Sequence, residues 1–139
     1  MIYTIQLKLL NGMHANQVWG CLIEIPSDSS LEEVHQTIQN ALEFDNDHMY
    51  EFSISNSLSG KNVSKFVCDS DEIYKTTIES VLENAKGKKI YYLFDYGDNW
   101  VFQISRSRKK PFLADADTYY PRVVEESGVK PVQYPDWEE

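Results

Sequence analysis

The fold is decided by residues 88–110, which read KKIYYLFDYGDNWVFQISRSRKK. Both halves of this stretch are rich in aromatic and β-branched side chains, the types that favour a packed strand. The intervening DYGDN segment is typical of a turn, since Asp and Asn bind nearby backbone amides. We expect Gly97 to supply a positive φ there, because it has no Cβ to clash. The stretch therefore predicts an antiparallel hairpin between residues 90–95 and residues 100–105.

The overall composition is that of a folded chain. With 139 residues, of which 42% are hydrophobic and 13% aromatic, it suits one domain with one core over residues 1–139. It holds no apolar run of about 18 residues, and no basic segment precedes the N-terminal apolar one. We therefore expect a soluble, cytoplasmic protein that does not associate with membranes. Cys21 and Cys68 lie in apolar surroundings and are predicted to be buried, reduced thiols.

The charge is unevenly distributed. The formal net charge is −9, and residues 86–110 hold seven basic residues against Asp95 and Asp98, so they carry +5 and the remainder −14. Such a balance argues against tight binding of duplex DNA, because phosphate neutralisation needs clustered Lys and Arg. Both basic clusters fall at the open end of the predicted hairpin. They are interpreted either as guards of a sheet edge or as a local basic patch.

The N-terminal half predicts two strands and a helix. Residues 3–9 and 18–25 alternate apolar and polar side chains around an Asn11-Gly12 turn, which indicates two antiparallel strands. Apolar positions then recur at helical spacing over residues 31–42, with His35 on the apolar stripe. Ser30 and Glu33 have the spacing of a capping box, which places the start of this helix.

The remaining segments complete the predicted fold. Residues 50–54 and 65–68 are predicted strands around an exposed loop at 55–64, and residues 71–84 a helix whose β-branched Thr76-Thr77-Ile78 is its weak point. After Pro111 the prolines predict an extended, irregular tail. The expected class is α+β, with a mixed or antiparallel sheet, the aromatic hairpin at its centre and two or three helices packed on it.

Several of these segments together resemble the plasmid pRiA4b ORF-3-like family. The resemblance rests on the order and spacing of Trp19 through Pro26, Leu31-x-x-Val34-His35-x-x-Ile38-Gln39-x-Ala41, Phe44, His48, Phe52, Phe94-Asp95-Tyr96-Gly97-Asp98-x-Trp100 and Tyr120-Pro121-Arg122. It covers nearly the whole chain. It implies an α+β fold and an accessory protein carried by plasmids and mobile elements, where labels of the resolvase type occur. In the family's tail, cysteines stand where this chain has Val123 and Lys130, so no tail-based metal site is expected.

Two imidazoles and two carboxylates are candidates for chemistry. His35 and His48 flank the end of the first predicted helix, and Asp95 and Asp98 lie three apart in the turn, so the four groups converge if the helix end meets the hairpin tip. The alternative for His35 is a buried, hydrogen-bonded core residue, and for the two carboxylates the capping of turn amides. The candidate binding residues are His35, His48, Asp95, Tyr96, Asp98, Trp100 and Arg122.

Two functions of different classes remain open. The sequence contains no Gly-rich phosphate loop, nucleophile elbow or zinc-binding helix motif, and no serine beside an arginine cluster that would support a resolvase. The favoured prediction is a non-enzymatic interaction module that binds a protein or small ligand and needs no cofactor. The alternative is a hydrolase or nuclease that uses His35, His48, Asp95 and Asp98 around a divalent ion. The tail aromatics Tyr119, Tyr120, Tyr134 and Trp137 are predicted to grip a partner or to pack over the sheet.

Overall fold

The computed structural model of the chain describes residues 1–13, 15–57 and 64–134. Seven strands and three helices occur within them. In chain order they are β1 (Ile2–Asn11), β2 (Trp19–Pro26), α1 (Leu31–Leu42), β3 (Tyr50–Ser55), β4 (Ser64–Val67), α2 (Asp71–Lys75), α3 (Ile78–Ala85), β5 (Lys89–Phe94), β6 (Trp100–Arg106) and β7 (Arg122–Gly128). Most of the predicted 55–64 loop, and Trp137 in the tail, lie outside the described residues.

The strands form one antiparallel sheet in the order β4-β3-β5-β6-β1-β2-β7. The predicted hairpin is confirmed: β5 and β6 pair from Ile90 opposite Ile104 to Phe94 opposite Trp100. It lies at the centre, since β5 also pairs with β3 and β6 with β1. The predicted pairing of β1 with β2 is confirmed as well.

The core lies on one face of the sheet, beneath the helices. Alternate residues of the central strands, among them Phe52, Tyr92, Phe94, Trp100 and Phe102, are fully buried there. They meet the apolar stripe of α1, whose buried residues are Leu31, Val34, His35, Ile38, Gln39 and Leu42. Side chains alternate with a period of two residues in a strand and of 3.6 residues in a helix. The apolar residues of the sheet therefore lie on one face, and those of α1 form a stripe that packs against it. None of the helices in the described ranges is long and apolar enough to cross a membrane.

The helix α1 has the predicted bounds and the predicted cap. Ser30 Oγ accepts a hydrogen bond from the Glu33 N–H at 3.1 Å, and Glu33 Oε1 accepts one from the Ser30 N–H at 3.2 Å. Two amides that have no partner within the helix are thereby satisfied.

The single helix predicted over residues 71–84 is wrong, because the chain breaks at Thr76 and Thr77. Thr76 is extended and its carbonyl accepts the Leu31 N–H at 2.9 Å, while Ser30 and Thr77 form a bridge. Thr77 then caps α3 by accepting the Ser80 N–H. Contact with the start of α1 therefore stabilises an extended conformation at Thr76 and Thr77, whose β-branched side chains already disfavour a helix.

The tail from residue 111 is not irregular throughout, since Arg122–Gly128 forms β7 against β2. Pro121 precedes this strand and Pro131 follows it, so no proline interrupts its hydrogen bonds. The strand satisfies the outer backbone groups of β2, which otherwise would end the sheet. It could not be read from its own sequence because its pairing partner is about 100 residues away.

The predicted α+β class is wrong, and the fold is closer to mainly β. Seven strands share one antiparallel sheet, whereas the helices have only 12, 5 and 8 residues. Two features shift the balance: the tail adds a seventh strand, and the break at Thr76 shortens the helical segment.

The conformation of the hairpin turn also differs from the prediction. Gly97 does not have a positive φ; Asp95 at 64° and Asn99 at 53° occupy the left-handed region instead. The Asp95 carboxylate compensates locally, because Oδ1 accepts the N–H groups of Gly97 and Asp98. Asp and Asn tolerate this region better than other non-glycine residues do.

Candidate functional site

His35 lies in the core between α1 and β5. Its side chain is buried and its ring stacks on Tyr50 with centroids 3.5 Å apart. The Tyr92 hydroxyl lies 2.6 Å from Nδ1, and Asn46 Oδ1 lies 2.6 Å from Nε2. The prediction of a buried, hydrogen-bonded His35 is confirmed.

These contacts define one protonation state of His35. Gln39 Nε2 donates to the Tyr92 hydroxyl, which is free to donate to Nδ1, while Nε2–H donates to the Asn46 carbonyl oxygen. Burial lowers the pKa of His35, and the bond to Asn46 offsets this only in part. Both nitrogens of a neutral imidazole are therefore occupied, which leaves neither free to bind a metal ion.

A second polar group of residues joins the α1–β3 loop to the hairpin turn and the tail. We call Asp47, His48, Asp95, Gln133 and Tyr134 the loop cluster. His48 Nε2 lies 3.3 Å from Asp95 Oδ2 and 2.8 Å from the Tyr134 hydroxyl. Tyr134 donates to Asp47 Oδ2 at 2.7 Å, and Gln133 Nε2 donates to Asp47 Oδ1 at 2.9 Å. The tail is thus bound to the loop by side chains that lie more than 80 residues apart in sequence.

The hydrogen bonds of the loop cluster favour a charged Asp47 and a protonated Tyr134. The hydrogen bond from Tyr134 lowers the pKa of Asp47, and the same bond raises the pKa of Tyr134 to about 12. The phenol therefore keeps its proton at neutral pH, which is the opposite of an activated nucleophile. One carboxylate oxygen of Asp95 accepts the two turn amides, and the other lies against His48. The described residues contain no group of three or more His, Cys, Asp or Glu side chains arranged to hold a metal ion.

The other candidates of the hairpin turn are dispersed. Trp100 is buried in the core, with its ring centroid 5.1 Å from that of Phe44. Tyr96 is 39% exposed. The pKa of its phenol is raised because part of the side chain is removed from water and because the Glu51 carboxylate is near. The backbone of Asp98 joins the hairpin turn to the loop after β1, since its carbonyl oxygen accepts the Met13 N–H at 2.7 Å. The structure therefore brings His48 and Asp95 together, whereas His35 and Trp100 belong to the core.

Arg122 holds the start of β7 to β2. Its Nε donates to Glu24 Oε1 at 2.8 Å, and Lys109 Nζ donates to Glu24 Oε2 at 3.1 Å. Glu24 is only 3% exposed. Burial alone would raise the pKa of Glu24, but the hydrogen bonds and charges of Arg122 and Lys109 outweigh it and lower that pKa. Arg122 thus neutralises a buried carboxylate.

The basic clusters lie where the hairpin opens, as predicted. However, the interpretation of these residues as edge guards is wrong. The strands β5 and β6 are both interior strands of the sheet, so neither presents a free edge at this place. Lys86, Lys88, Lys89 and Arg106 instead line a cavity of about 420 Å³ next to the end of α3.

The sequence over residues 1–133 matches the family described as plasmid pRiA4b ORF-3-like protein. The chain belongs to this family. Most residues that carried the resemblance prove to be core residues, including Trp19, Val34, Ile38, Phe52 and Phe94. The family pattern therefore marks the packing of the sheet against α1 more than it marks a reactive site.

One similar protein of known structure shares the fold, and the names of the relatives give no activity. The chain is 25% identical over 106 residues to the uncharacterized protein y4hQ of Sinorhizobium fredii, covering 76% of this chain and 53% of that protein. It thus spans about half the length of that curated relative. A crystal structure of a protein of unknown function, MM3350 from Methanosarcina mazei Go1, has a TM-score of 0.71 at 19% identity, covering 90% of this chain and 68% of that one. That likeness shows the fold.

Sequence reasoning missed several partners. No role is predicted from the sequence for Tyr92, Asn46 or Glu24, and the sequence predicts Tyr134 only as a tail aromatic. The signal for Glu24 was an acidic residue within an otherwise apolar strand, because a buried carboxylate requires a cationic partner. For Asn46 and Gln133 no local pattern points to their roles.

Proposed function

We propose that this chain is a non-enzymatic interaction module that binds an extended segment of a partner protein along β7. The observation that carries the proposal is that β7 ends the sheet and that all seven of its residues are exposed. Within residues 1–13, 15–57 and 64–134, no strand other than β2 pairs with it.

Such an edge supports binding by strand addition. Its outer N–H and C=O groups are available to an incoming strand, and main-chain hydrogen bonds supply affinity in this mode of recognition. Seven residues give an edge of about 23 Å at the usual rise per residue. The register with β2 shifts so that Val124 has no opposite residue. This bulge makes the edge irregular, which discourages pairing with unselected strands.

Charge indicates the chemistry of the partner. Glu125 and Glu126 lie on β7, and Arg122 is already paired with Glu24. Since the whole chain carries −9, a second copy would bring like charge to the same edge. We therefore propose a partner strand that places Lys or Arg opposite Glu125 and apolar residues beside Val123 and Val124, which are each 41% exposed.

Of the groups proposed for catalysis, His35, His48 and Asp95 are committed to structural bonds. His35 has bonds to both nitrogens, His48 Nε2 lies against the Tyr134 hydroxyl and Asp95, and Asp95 also accepts turn amides. This arrangement supports a binding function over a hydrolase or nuclease.

A synthetic peptide of alternating lysine and valine tests the proposal. We expect its fluorescence anisotropy to rise on titration with the protein at physiological salt, and hydrogen exchange to slow in β7. Glu125→Lys should weaken this binding at least about tenfold, or about 1.4 kcal/mol, because it places like charges opposite each other. Glu72→Lys on the exposed surface of α2 makes the same charge change elsewhere and should leave the affinity unaltered.

The control peptide contains glutamate in place of lysine and should not bind. Equal affinities of the two variants for the lysine peptide, or slowed exchange at β4 in place of β7, would refute the proposed edge. Sedimentation of the protein alone as a dimer through β7 would assign the edge to a second copy and overturn the basic partner.

A further inference from the structure

A basic cavity lies at the foot of the central hairpin. We call Lys86, Lys88, Lys89 and Arg106 the hairpin foot. They line the cavity of about 420 Å³ between the end of α3 and the adjacent ends of β5 and β6, and Glu83 is the acidic residue of that lining. Small-molecule sites typically measure about 300–1,000 Å³. The cavity thus combines the size of a ligand site with a net charge of three positive units, in a chain whose total is −9.

The four cations are not neutralised by ion pairs within the described parts of the chain, because each ion pair formed there involves other basic residues. The Arg106 guanidinium lies 4.8 Å above the centre of the Tyr3 ring, a contact that orients it without removing its charge. All four residues are exposed, so solvent screens their mutual repulsion and their charges are accessible to an anion from solution.

Neither edge protection nor the dipole of α3 accounts for this concentration of cations. The strands β5 and β6 are interior, so there is no sheet edge to protect. The helix α3 ends at Ala85, beside these residues, and its C-terminal carbonyls carry about half a negative elementary charge. That partial charge balances only a fraction of four cations.

We propose that the hairpin foot binds a small polyanion that carries at least two phosphate groups. Lysine ammonium groups act as point charges on phosphate oxygens, and arginine adds a planar pair of donors. As far as the described residues line the cavity, none of them is aromatic, so a base has no ring on which to stack. Gly87 also lines the cavity, and a Cβ added there would meet no atom within 4 Å, so the space beside it is open. This site is independent of the partner strand proposed for β7.

Inorganic tripolyphosphate is the probe. Calorimetric titration should show binding to the unaltered protein and at least a tenfold loss of affinity in the double variant Lys86→Gln, Lys88→Gln, which keeps Arg106 on Tyr3. The matched control is Lys65→Gln, Lys75→Gln, which removes two exposed charges from β4 and α2, outside the lining of the cavity, and should retain the full affinity. Orthophosphate should bind more weakly than tripolyphosphate, because it engages fewer of the cations.

The opposite results are equally specific. Equal loss in both double variants would show a general charge effect and overturn the site. A single-stranded oligonucleotide that binds the hairpin foot more tightly than tripolyphosphate would assign it to nucleic acid and overturn the small polyanion. Absence of tripolyphosphate binding to the folded protein at low salt would show that the lysines only offset the end of α3, and would refute the proposal.

Discussion

At the scale of single residues, buried polar side chains are stabilised by specific partners. Burial keeps His35 neutral in the core, where Tyr92 and Asn46 satisfy its two ring nitrogens, and Glu24 is kept charged by Arg122 and Lys109. In each case a polar group that would be costly to bury alone has its hydrogen bonds satisfied. Both residues are deprotonated in the folded protein and both have a lowered pKa, so each contributes stability that is lost as pH falls, His35 in mild acid and Glu24 at lower pH.

His35 should make the protein less stable in mild acid. Its folded pKa lies below the ordinary value of about 6.5, so the unfolded chain binds the proton more readily. Its stabilising contribution is therefore fully present above that pH and is lost progressively as pH falls below it. We expect the melting temperature of His35→Gln to fall less steeply than that of the unaltered protein between pH 6.5 and about 5, where most carboxylates remain ionised.

His48→Gln is the matched control for this prediction. The His48 side chain is 40% exposed, and its replacement leaves buried His35 and both of its hydrogen bonds in place, so the steep pH dependence should persist in this variant. Identical slopes for His35→Gln and the unaltered protein would mean that His35 is not the group that titrates. The loss of its two bonds should also lower the stability of His35→Gln near neutral pH by roughly 1–3 kcal/mol.

At the scale of elements, the ends of helices and strands are set by individual positions. Ser30 and Thr77 cap α1 and α3 through side-chain oxygens, whereas Ser70 makes no such cap bond to α2. At the other end of the sheet, Gly128 finishes β7 with φ of 78° against β2. These positions determine where α1 and α3 begin and where β7 ends.

Gly128 should tolerate no side chain. A Cβ there would lie 2.0 Å from the Val18 carbonyl oxygen, so the backbone must move and β7 must shift on β2. We expect Gly128→Ala to lower the free energy of unfolding in urea by more than about 2 kcal/mol. Gly87→Ala is the control, because Gly87 has φ of 85° with open space around it and should cost only about 1 kcal/mol. Similar losses for the two variants would contradict the close approach of Gly128 to β2.

The caps should differ in energy according to their bonds. Ser30→Ala and Thr77→Ala each remove an oxygen that accepts a helix N–H, and each should cost about 1 kcal/mol of unfolding free energy. Ser70→Ala removes no cap bond, only the exposed hydrogen bond from its hydroxyl to the Val67 carbonyl oxygen, and should cost less than either of the other two variants. Chemical denaturation of the three variants measures this order, and a larger loss for Ser70→Ala would contradict it.

At the scale of the whole molecule, charge limits the partners. The hairpin foot is basic, but residues outside 86–110 carry −14. A long DNA duplex approaching the foot therefore also meets repulsion from the rest of the surface, whereas a small polyanion contacts the foot alone. The same asymmetry favours a basic strand at the acidic β7 edge.

We expect duplex DNA to bind weakly, with a dissociation constant of about 10⁻⁴ M or higher at physiological salt, because few phosphates can be contacted. Anisotropy titration with a labelled duplex measures this, and binding in the sub-micromolar range would contradict the prediction. Lowering the salt should strengthen whatever binding exists, since each phosphate contact releases counterions.

The sequence by itself determined the elements whose signals are local. The β5–β6 hairpin, the β1–β2 pair and the cap of α1 each depend on residues close together in the chain, and these predictions are confirmed. For the candidate site, local patterns singled out His35, His48 and Asp95 but could not show that only the last two are in contact.

Only the tertiary structure decided the features that join distant segments. It pairs β7 with β2 and interrupts the predicted helix at Thr76. It also gives Asp95 and Asn99, and not Gly97, a positive φ, and it binds Gln133 and Tyr134 to the α1–β3 loop. The hydrogen bonds between the tail and the α1–β3 loop join residues that are 86 to 88 positions apart. Their energies depend on which surfaces the folded chain brings together, and no spacing or propensity within one segment encodes that proximity.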